Sequence, residues 1–207
     1  LSNTPKQILI GRALGFDEIK YAHLPLILSP DRSKLSKRYL ETSLDDYRKQ
    51  GYLAEAMVNF LALLGWHPKD EREVLDIQDL IREFDIKRVQ KAGAVFNIEK
   101  LDWFNAQYIR NMKAADLLKH LEDFIPKEWF RNKNLLLKVI ELEKERIKKL
   151  SDFKELADFF FELPDYDSKL LVWQNMPEEK IKANLELLSA EIEKISETDF
   201  SIGNLTQ

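Results

Sequence analysis

A short basic segment, Lys34-Leu35-Ser36-Lys37-Arg38, holds the residues of this chain best suited to chemistry. Its cations flank one small hydroxyl residue, Ser36, and Arg32 adds positive charge just upstream, beside the acid Asp31. Lysine ammonium groups on flexible stems neutralise the charge that develops on phosphate when a loop closes over it. The alternative is a solvated basic turn, which is the commoner role of a short charged motif taken alone. The choice between a phosphate-binding loop and a solvated turn therefore depends on the elements that flank the segment.

The elements before the segment predict the end of an α/β domain. Ser2-Asn3-Thr4-Pro5 offers capping side chains followed by a proline, so a helix is predicted from 4 to 14, ahead of Gly15. The apolar run Tyr21 to Leu28 predicts a strand that is lost at Pro30. A helix feeding one short strand is typical of the tail of such a domain.

After the segment the pattern predicts helices only. Ser43 can cap a short helix through Gln50 that Gly51 ends. The run Ala54 to Leu64 is interrupted only by Glu55 and Asn59, on one face, so it predicts a helix buried on nearly every side. Two more helices are predicted, Ile77 to Phe84 and one that Asn97 caps, with a shared apolar face at Ile98, Leu101, Phe104, Tyr108 and Met112.

From Ala114 onward the predicted helices are longer and more charged. One carries an apolar stripe at Leu136, Val139, Ile140, Ile147 and Leu150; another, beyond Pro164 and the turn residues 165 to 168, carries Ile181, Leu185, Leu188, Ile192 and Ile195. The second stripe is only about two heptads long, so packing within the chain is favoured over a coiled-coil partner.

Composition excludes several classes of protein. Cysteine is absent, which excludes disulfides and thiolate metal ligands, and the three histidines are far apart in sequence, so no metal or zinc site is predicted. The longest apolar run, around Val58 to Trp66, is shorter than the roughly 18 residues of a membrane span. The net charge of −4 does not favour nucleic acid in general, so any RNA contact must use local basic patches. We expect a soluble, cytoplasmic protein without a membrane partner.

The order of these motifs resembles bacterial-type glutamyl-tRNA synthetases of class I. The segments that carry the resemblance are Ser2 to Gln7, His23 to Leu28 with Asp31 to Arg38, Gly51 to Ala56, Asn59 to Trp66, and Lys100 to Arg110. The resemblance implies a mainly α fold, in which a short α/β tail of a class I catalytic domain precedes helical stem-contact and all-helical anticodon-binding domains. The implied domains are 1–38 with the signature loop, 39–113 for stem contact, 114–164 for anticodon binding, and 165–207 for the start of a last anticodon-binding subdomain.

The resemblance also assigns roles around the basic segment, which is similar to the second class I signature, generically Lys-Met-Ser-Lys-Ser. It implies that Lys37 binds ATP, used with Mg²⁺, and stabilises charge on the pyrophosphate leaving group, with Lys34 assisting and Ser36 shaping the loop. Arg38 also falls in this ATP site, although the generic motif has serine there. His23 and Leu24 would approach the adenine; that His23 only caps or packs the strand is an equal alternative.

The implied partner of the helical region is tRNA(Glu). Arg110, Lys113, Arg131 and Lys133 are the candidate phosphate contacts, with further basic groups at 87, 88, 91, 146, 148 and 149. Trp129 and Phe130 beside Arg131 are candidates for stacking on anticodon bases. The alternative for the basic residues is that they lie on a solvated helix face. The alternative for Trp129 and Phe130, as for Trp103 and Tyr108, is that they pack in the core.

The first class I signature, His-Ile-Gly-His, and the residues that grip glutamate have no equivalent in this chain. The sequence therefore predicts a C-terminal-side fragment of a glutamate–tRNA ligase, inactive alone, whose glutamate and ATP would bind through a missing catalytic domain. The rival is a noncatalytic helical RNA-binding or scaffold module that retains a relic signature loop.

Overall fold

The computed structural model describes residues 2–17, 19–35, 43–174 and 176–196. Its internal contacts divide the chain into two units, Leu1–Phe161 and Glu162–Gln207. The described part is mostly helical with one short pair of strands, which confirms the predicted fold class.

The first unit holds α1 to α8 and both strands. In chain order these are α1 (Thr4–Ala13), β1 (Ile27–Leu28), α2 (Leu44–Lys49), α3 (Ala54–Leu63), α4 (Ile77–Glu83), β2 (Ala94–Val95), α5 (Ile98–Asn111), α6 (Ala114–Leu121), α7 (Lys133–Glu143) and α8 (Asp152–Ala157). Short 3₁₀ helices lie at Ile86–Arg88, Lys127–Asn132 and Asp158–Phe160.

Two of the predicted caps form where the sequence places them, whereas α1 begins after Asn3 without a hydrogen bond from a capping side chain. The Ser43 side chain accepts a hydrogen bond from the Asp45 amide at the start of α2, and Asn97 accepts one from Lys100 at the start of α5. Gly51, at φ +88°, ends the turn after α2 in the left-handed conformation that glycine adopts without penalty. Local capping chemistry thus accounts for these boundaries.

The strands are shorter than predicted. Only Ile27–Leu28 of the run from Tyr21 is a strand, and it pairs in parallel with β2, which the sequence analysis did not predict, in the register Ile27 to Ala94 and Leu28 to Val95. β1 is short because a strand needs a hydrogen-bonded partner along its length, and β2 is only two residues long.

Three apolar clusters form the core of the first unit. The largest joins α5 to α8 and is built around Leu117, Leu121, Leu136, Ile140 and Phe153. The second packs aromatic residues under the strand pair: Tyr47, Tyr52, Phe60, Phe96 and Phe104. The third contains Trp66, Leu75 and Leu80.

Two predictions about helix faces are wrong. In α3, Asn59 is fully buried, whereas Val58 and Leu61 are 44% and 38% exposed, so the helix is not buried on nearly every side. The stripe predicted along one helix breaks because α7 ends at Glu143; Ile147 and Leu150 lie in the following turn, although both are buried. Apolar spacing alone did not register the end of α7, because the turn residues continue the apolar pattern.

The second unit contains a 3₁₀ turn, Ser168–Leu171, and α9 (Glu178–Glu193). No residue of α9 is buried, and Leu185, Leu188 and Ile192 of its apolar stripe are 45%, 56% and 41% exposed. No helix in the described ranges is both long enough and apolar enough to cross a membrane.

Candidate functional site

A tight hairpin carries the chain from β1 towards the basic segment. The Ser29 amide donates to the Ser33 carbonyl and the Arg32 amide donates to the Ser29 carbonyl, both at 2.8 Å. Arg32 adopts φ +63°, a left-handed conformation that is uncommon for residues other than glycine. The hairpin thereby fixes the direction in which the chain enters Lys34.

Asp31 stabilises the tip of this hairpin. Its Oδ1 accepts a hydrogen bond from the Ser33 amide at 2.9 Å, an Asx turn. Hydrogen bonds from the side chain and backbone of Ser33 hold the pKa of the Asp31 carboxyl below its ordinary value, so the acid stays ionised at neutral pH. Ser29 is fully buried, and its Oγ has no hydrogen-bond partner among the described residues.

Lys34 and Leu35 anchor the start of the basic segment on opposite sides of the chain. Lys34 forms an isolated antiparallel bridge with Leu28, and its side chain is exposed. The Leu35 amide donates to the Ile27 carbonyl at 3.2 Å, and its half-buried side chain packs on the aromatic cluster of Tyr47 and Phe96. The predicted ATP residues Ser36, Lys37 and Arg38 lie outside the described residues.

A glycine lets the second strand approach the hairpin. A Cβ on Gly93 would lie 2.8 Å from Leu28 Cδ1 and 3.0 Å from the Leu26 carbonyl oxygen. The close approach allows the Phe96 amide to donate to the Leu28 carbonyl at 2.8 Å. The hairpin is therefore held by β2, whose Ala94 pairs with Ile27, 67 positions earlier in the sequence, and no local pattern indicated this pairing.

The two residues predicted to approach adenine are both exposed. His23 Nε2 lies 3.4 Å from Thr4 Oγ1, a contact that fits the packing alternative as well as a binding role. Leu24 is 64% exposed and lines an apolar groove of about 160 Å³ with Trp66 and Phe84. Both therefore remain predictions.

The four candidate phosphate contacts lie in different settings. Arg110 donates from Nε and Nη2 to the Glu145 carbonyl at 3.1 and 2.9 Å, so it ties α5 to the turn after α7. Lys113 precedes α6, whereas Arg131 and Lys133 lie on either side of the start of α7, and all three are exposed. Arg110 thus has a structural contact of its own, and the other three side chains face solvent.

Of the aromatic candidates, Trp129 belongs to the core and Tyr108 is half-buried against it. Trp129 is 3% exposed and stacks on Phe161, with ring centroids 4.3 Å apart and planes 11° apart. The Tyr108 hydroxyl donates to the Leu75 carbonyl at 2.6 Å. Trp103 is 38% exposed, and Lys100 Nζ lies 4.2 Å from its ring centroid.

Two buried asparagines have roles that the sequence analysis missed. Asn59 Oδ1 accepts from the Leu75 amide at 2.8 Å, while its Nδ2 donates to the Glu73 carbonyl at 3.0 Å. Asn105 Oδ1 accepts from the Leu53 amide at 2.8 Å. An amide side chain inside an apolar helical run is the signal that could have indicated both, because a buried polar group must be hydrogen-bonded.

Comparison with known families accounts for nearly the whole chain. The family model of the catalytic domain of class I tRNA synthetases (E and Q) matches residues 1–103, and that of an anticodon-binding domain matches residues 115–207.

Individual relatives of this chain are glutamate–tRNA ligases. The glutamate–tRNA ligase of Dehalococcoides mccartyi is 41% identical over 96% of this chain and 42% of that protein. Glutamate–tRNA ligase 2 of Caldanaerobacter subterraneus is 44% identical over 84% of this chain and 38% of its own length. The chain therefore spans about two fifths of the length of these relatives.

The fold also matches solved structures. A glutamate tRNA ligase from Elizabethkingia meningosepticum, crystallised in complex with its amino acid, matches with a TM-score of 0.76 and 31% identity, over 94% of this chain and 43% of that one. Glutamate-tRNA synthetase from Elizabethkingia anophelis matches with a TM-score of 0.66, also at 31% identity, over 94% of this chain and 46% of that one.

Proposed function

This chain belongs to the bacterial-type glutamyl-tRNA synthetases of class I, and on that premise we propose that it supplies the ATP signature loop and the tRNA-docking helices of a glutamate–tRNA ligase. Such an enzyme activates glutamate with ATP and transfers it to tRNA(Glu). The observation that carries the proposal is the hairpin from Ser29 to Lys34, which holds Lys34 and Leu35, the first two residues of the basic segment, by backbone pairing. As a component of translation the protein would act in the cytoplasm.

The first step needs positive charge on the leaving group. In this proposal the carboxylate of glutamate attacks the α-phosphorus of ATP, the bond from that phosphorus to the bridging oxygen breaks, and pyrophosphate leaves with the bond electrons. Lys37 stabilises the charge on pyrophosphate, Lys34 assists, and Ser36 and Arg38 shape and complete the loop. Lys34 is exposed on the hairpin, which supports its part in this arrangement.

ATP would bring Mg²⁺ with it. Among the described residues no group of three or more His, Asp or Glu side chains converges as a metal cage. Mg²⁺ commonly binds through substrate phosphates with few protein ligands, so the ATP phosphates would hold most of its coordination sphere. His23 and Leu24 would lie on the adenine side, and the exposure of both side chains supports that position.

The helices beyond the loop would dock the tRNA. Lys113, Arg131 and Lys133 are exposed and can reach phosphate oxygens, whereas Arg110 would act with the turn it holds. The burial of Trp129 favours phosphate contacts over base stacking as the role of this surface.

Substitution of Lys37 tests the enzymatic proposal. The substitution is made in a glutamate–tRNA ligase that contains this chain and is as long as the relatives. We expect Lys37→Ala to lower glutamate-dependent ATP–pyrophosphate exchange by on the order of 100-fold or more, since one preorganised charge contact is lost from the transition state. Binding of tRNA(Glu) should remain nearly intact.

Lys138→Ala is the matched control, because Lys138 is an exposed lysine on α7 and is not part of the signature segment. It should leave exchange unchanged. Full exchange in Lys37→Ala would refute the role of the signature loop. A wild-type protein that binds tRNA but shows no exchange would favour the noncatalytic RNA-binding or scaffold module.

A further inference from the structure

One buried amide on α5 joins three separate parts of the first unit. Asn105 is fully buried, and besides its bond with Leu53 its Nδ2 donates to the Lys148 carbonyl at 2.6 Å and to the Gly51 carbonyl at 3.3 Å. Its partners lie in the turn before α3 and in the turn between α7 and α8. The side-chain oxygen and the side-chain NH₂ group of Asn105 thus both bond to these turns and hold them together.

The backbones of the same two turns are in direct contact. The Leu150 amide donates to the Gly51 carbonyl at 3.1 Å, and a Cβ on Gly51 would lie only 2.6 Å from the Leu150 nitrogen. Ile147 and Leu150 are buried, so the inner side of the later turn has no freedom to move outward without opening the core.

The outer side of that turn carries basic side chains. Residues 144 to 149 include four cations, Lys144, Arg146, Lys148 and Lys149, and one acid, Glu145. The Lys144 side chain is only 13% exposed and pairs with Glu141, so it does not belong to the outer side. The Arg146 side chain is 60% exposed and pairs with the buried Glu143, Lys148 is exposed, and Lys149 is half-buried. We call residues 146 to 149 the basic turn.

The basic turn is also held at its far end and from α5. The amides of Lys148 and Lys149 donate to Asp152 Oδ2 at 3.1 and 2.9 Å. Arg110 reaches the Glu145 carbonyl from the last turn of α5, five residues after Asn105. The backbone that carries these cations is therefore held from both α5 and α8.

We infer that Asn105 is a positioning residue for RNA binding, which acts by holding the basic turn at a fixed place beside Arg110. The inference rests on the proposed function, because the partner of the turn is the phosphate backbone of tRNA. Asn105 itself touches no RNA; it keeps the cations where their phosphate contacts need no rearrangement.

Asn59 provides a matched control for this role. Both asparagines are fully buried and both bond to backbone groups, but the partners of Asn59 are Glu73, Leu75 and Tyr108, away from the basic turn. The variants Asn105→Ala and Asn59→Ala of the 207-residue chain should lose similar amounts of stability. Only the first should alter RNA binding.

The experiment measures the affinity of the chain for a tRNA(Glu) transcript at several salt concentrations. We expect weak wild-type binding that falls as salt rises. Asn105→Ala should weaken tRNA binding on the order of tenfold. It should also make the plot of log affinity against log salt less steep, by the amount that corresponds to the loss of about one to two phosphate contacts. In a Lys148→Ala/Lys149→Ala background, Asn105→Ala should add little.

Amide exchange provides a readout independent of RNA. The Leu150 amide should exchange faster in Asn105→Ala and not in Asn59→Ala. The inference would be overturned if Asn105→Ala and Asn59→Ala changed the salt dependence of tRNA binding equally. It would also be overturned if Asn105→Ala kept its full effect on tRNA binding in the Lys148→Ala/Lys149→Ala background. If Asn105→Ala does not fold, Asn105→Ser, which keeps one hydrogen-bonding group, is measured in its place by the same criteria.

A wild-type chain that binds no transcript would contradict the proposed docking function and with it the RNA role of Asn105. Faster Leu150 exchange in Asn105→Ala would then still assign Asn105 to holding the turn. Bound transcript with unchanged Leu150 exchange in that variant would instead overturn the inference and leave the proposed function standing.

Discussion

Single buried polar side chains determine much of the arrangement of the first unit. Asn59 and Asn105 each satisfy backbone groups that lie in loops and have no partner within a helix or strand. Leaving such a group unsatisfied costs about 1–3 kcal/mol, which is large against the stability of a domain. Loop backbone in this unit can therefore be buried because two amides meet its hydrogen-bonding needs.

Tyr108 belongs to the same network and gives it a dependence on pH. Burial raises the pKa of Tyr108 to about 12, and the nearby charges of Asp76 and Glu55 act in the same direction. The folded pKa exceeds the value of about 10 expected in the unfolded chain, so the unfolded state loses its proton first. Stability is then fully present below pH 10 and lost as pH rises towards 12.

We expect the free energy of unfolding, measured with urea at pH 9, 10, 11 and 12, to fall over this range, with a smaller fall in Tyr108→Phe. At neutral pH the variant should lose about 1–2 kcal/mol, because the Leu75 carbonyl loses its bond from the hydroxyl. Tyr21→Phe, at an exposed tyrosine, is the control and should keep the wild-type pH dependence. An identical dependence in Tyr108→Phe would contradict the assignment.

At the scale of elements, the hairpin depends on the close approach of β2. We expect Gly93→Ala to cost about 1–3 kcal/mol, because its Cβ would overlap Leu28 and the Leu26 carbonyl. Amide exchange should become faster at Phe96 and Leu35, whose bonds to Leu28 and Ile27 hold the hairpin.

Gly15→Ala separates this effect from the general cost of replacing glycine. Gly15 has φ +73°, but no described atom lies within 4 Å of its ideal Cβ, so the change should strain only the end of α1. Phe96 exchange should stay as in the wild-type chain. Unchanged Phe96 protection in Gly93→Ala would show that the strand pair tolerates the methyl group.

The limits of sequence reasoning are clear at this scale. Capping residues predicted α2 and α5 well, because Ser43 and Asn97 act on amides two or three residues away. The β1–β2 pair was missed, because Gly93 matters only through contact with Leu28, far away in sequence. Of the site, residue types indicated the basic segment, whereas the hydrogen bond of Arg110 to the Glu145 carbonyl depends on tertiary geometry. The Asx turn of Asp31 is local, since it joins residues two positions apart, but the sequence analysis did not predict it.

At the scale of the whole molecule, the two units differ in how much they bury. The first contains three apolar clusters, whereas α9 in the second has no buried residue along its described length. Local stability follows burial, so we expect hydrogen exchange to be roughly 100-fold faster in α9 than in α5 or α7. Mass spectrometry of exchanged peptides measures this.

Leu188→Glu provides the accompanying test in the second unit, since Leu188 is 56% exposed on α9. It should leave exchange in α5 and α7 unchanged. Protection of α9 equal to that of α5 in the wild-type chain would mean that its apolar stripe is covered, for instance by a second copy of the chain.

The bonds of Asn105 also set an order for folding. Its partners Leu53 and Gly51 lie 52 and 54 residues before it, whereas Lys148 lies 43 residues after it. A chain emerging from the ribosome can bond Asn105 to the earlier turn once α5 exists, but one amide hydrogen must wait until the later turn has been synthesised. Closing that loop costs entropy that the burial of Ile147 and Leu150 then offsets. The turn that carries the basic side chains is therefore completed only when the first unit is nearly whole, so unfinished chains do not display it.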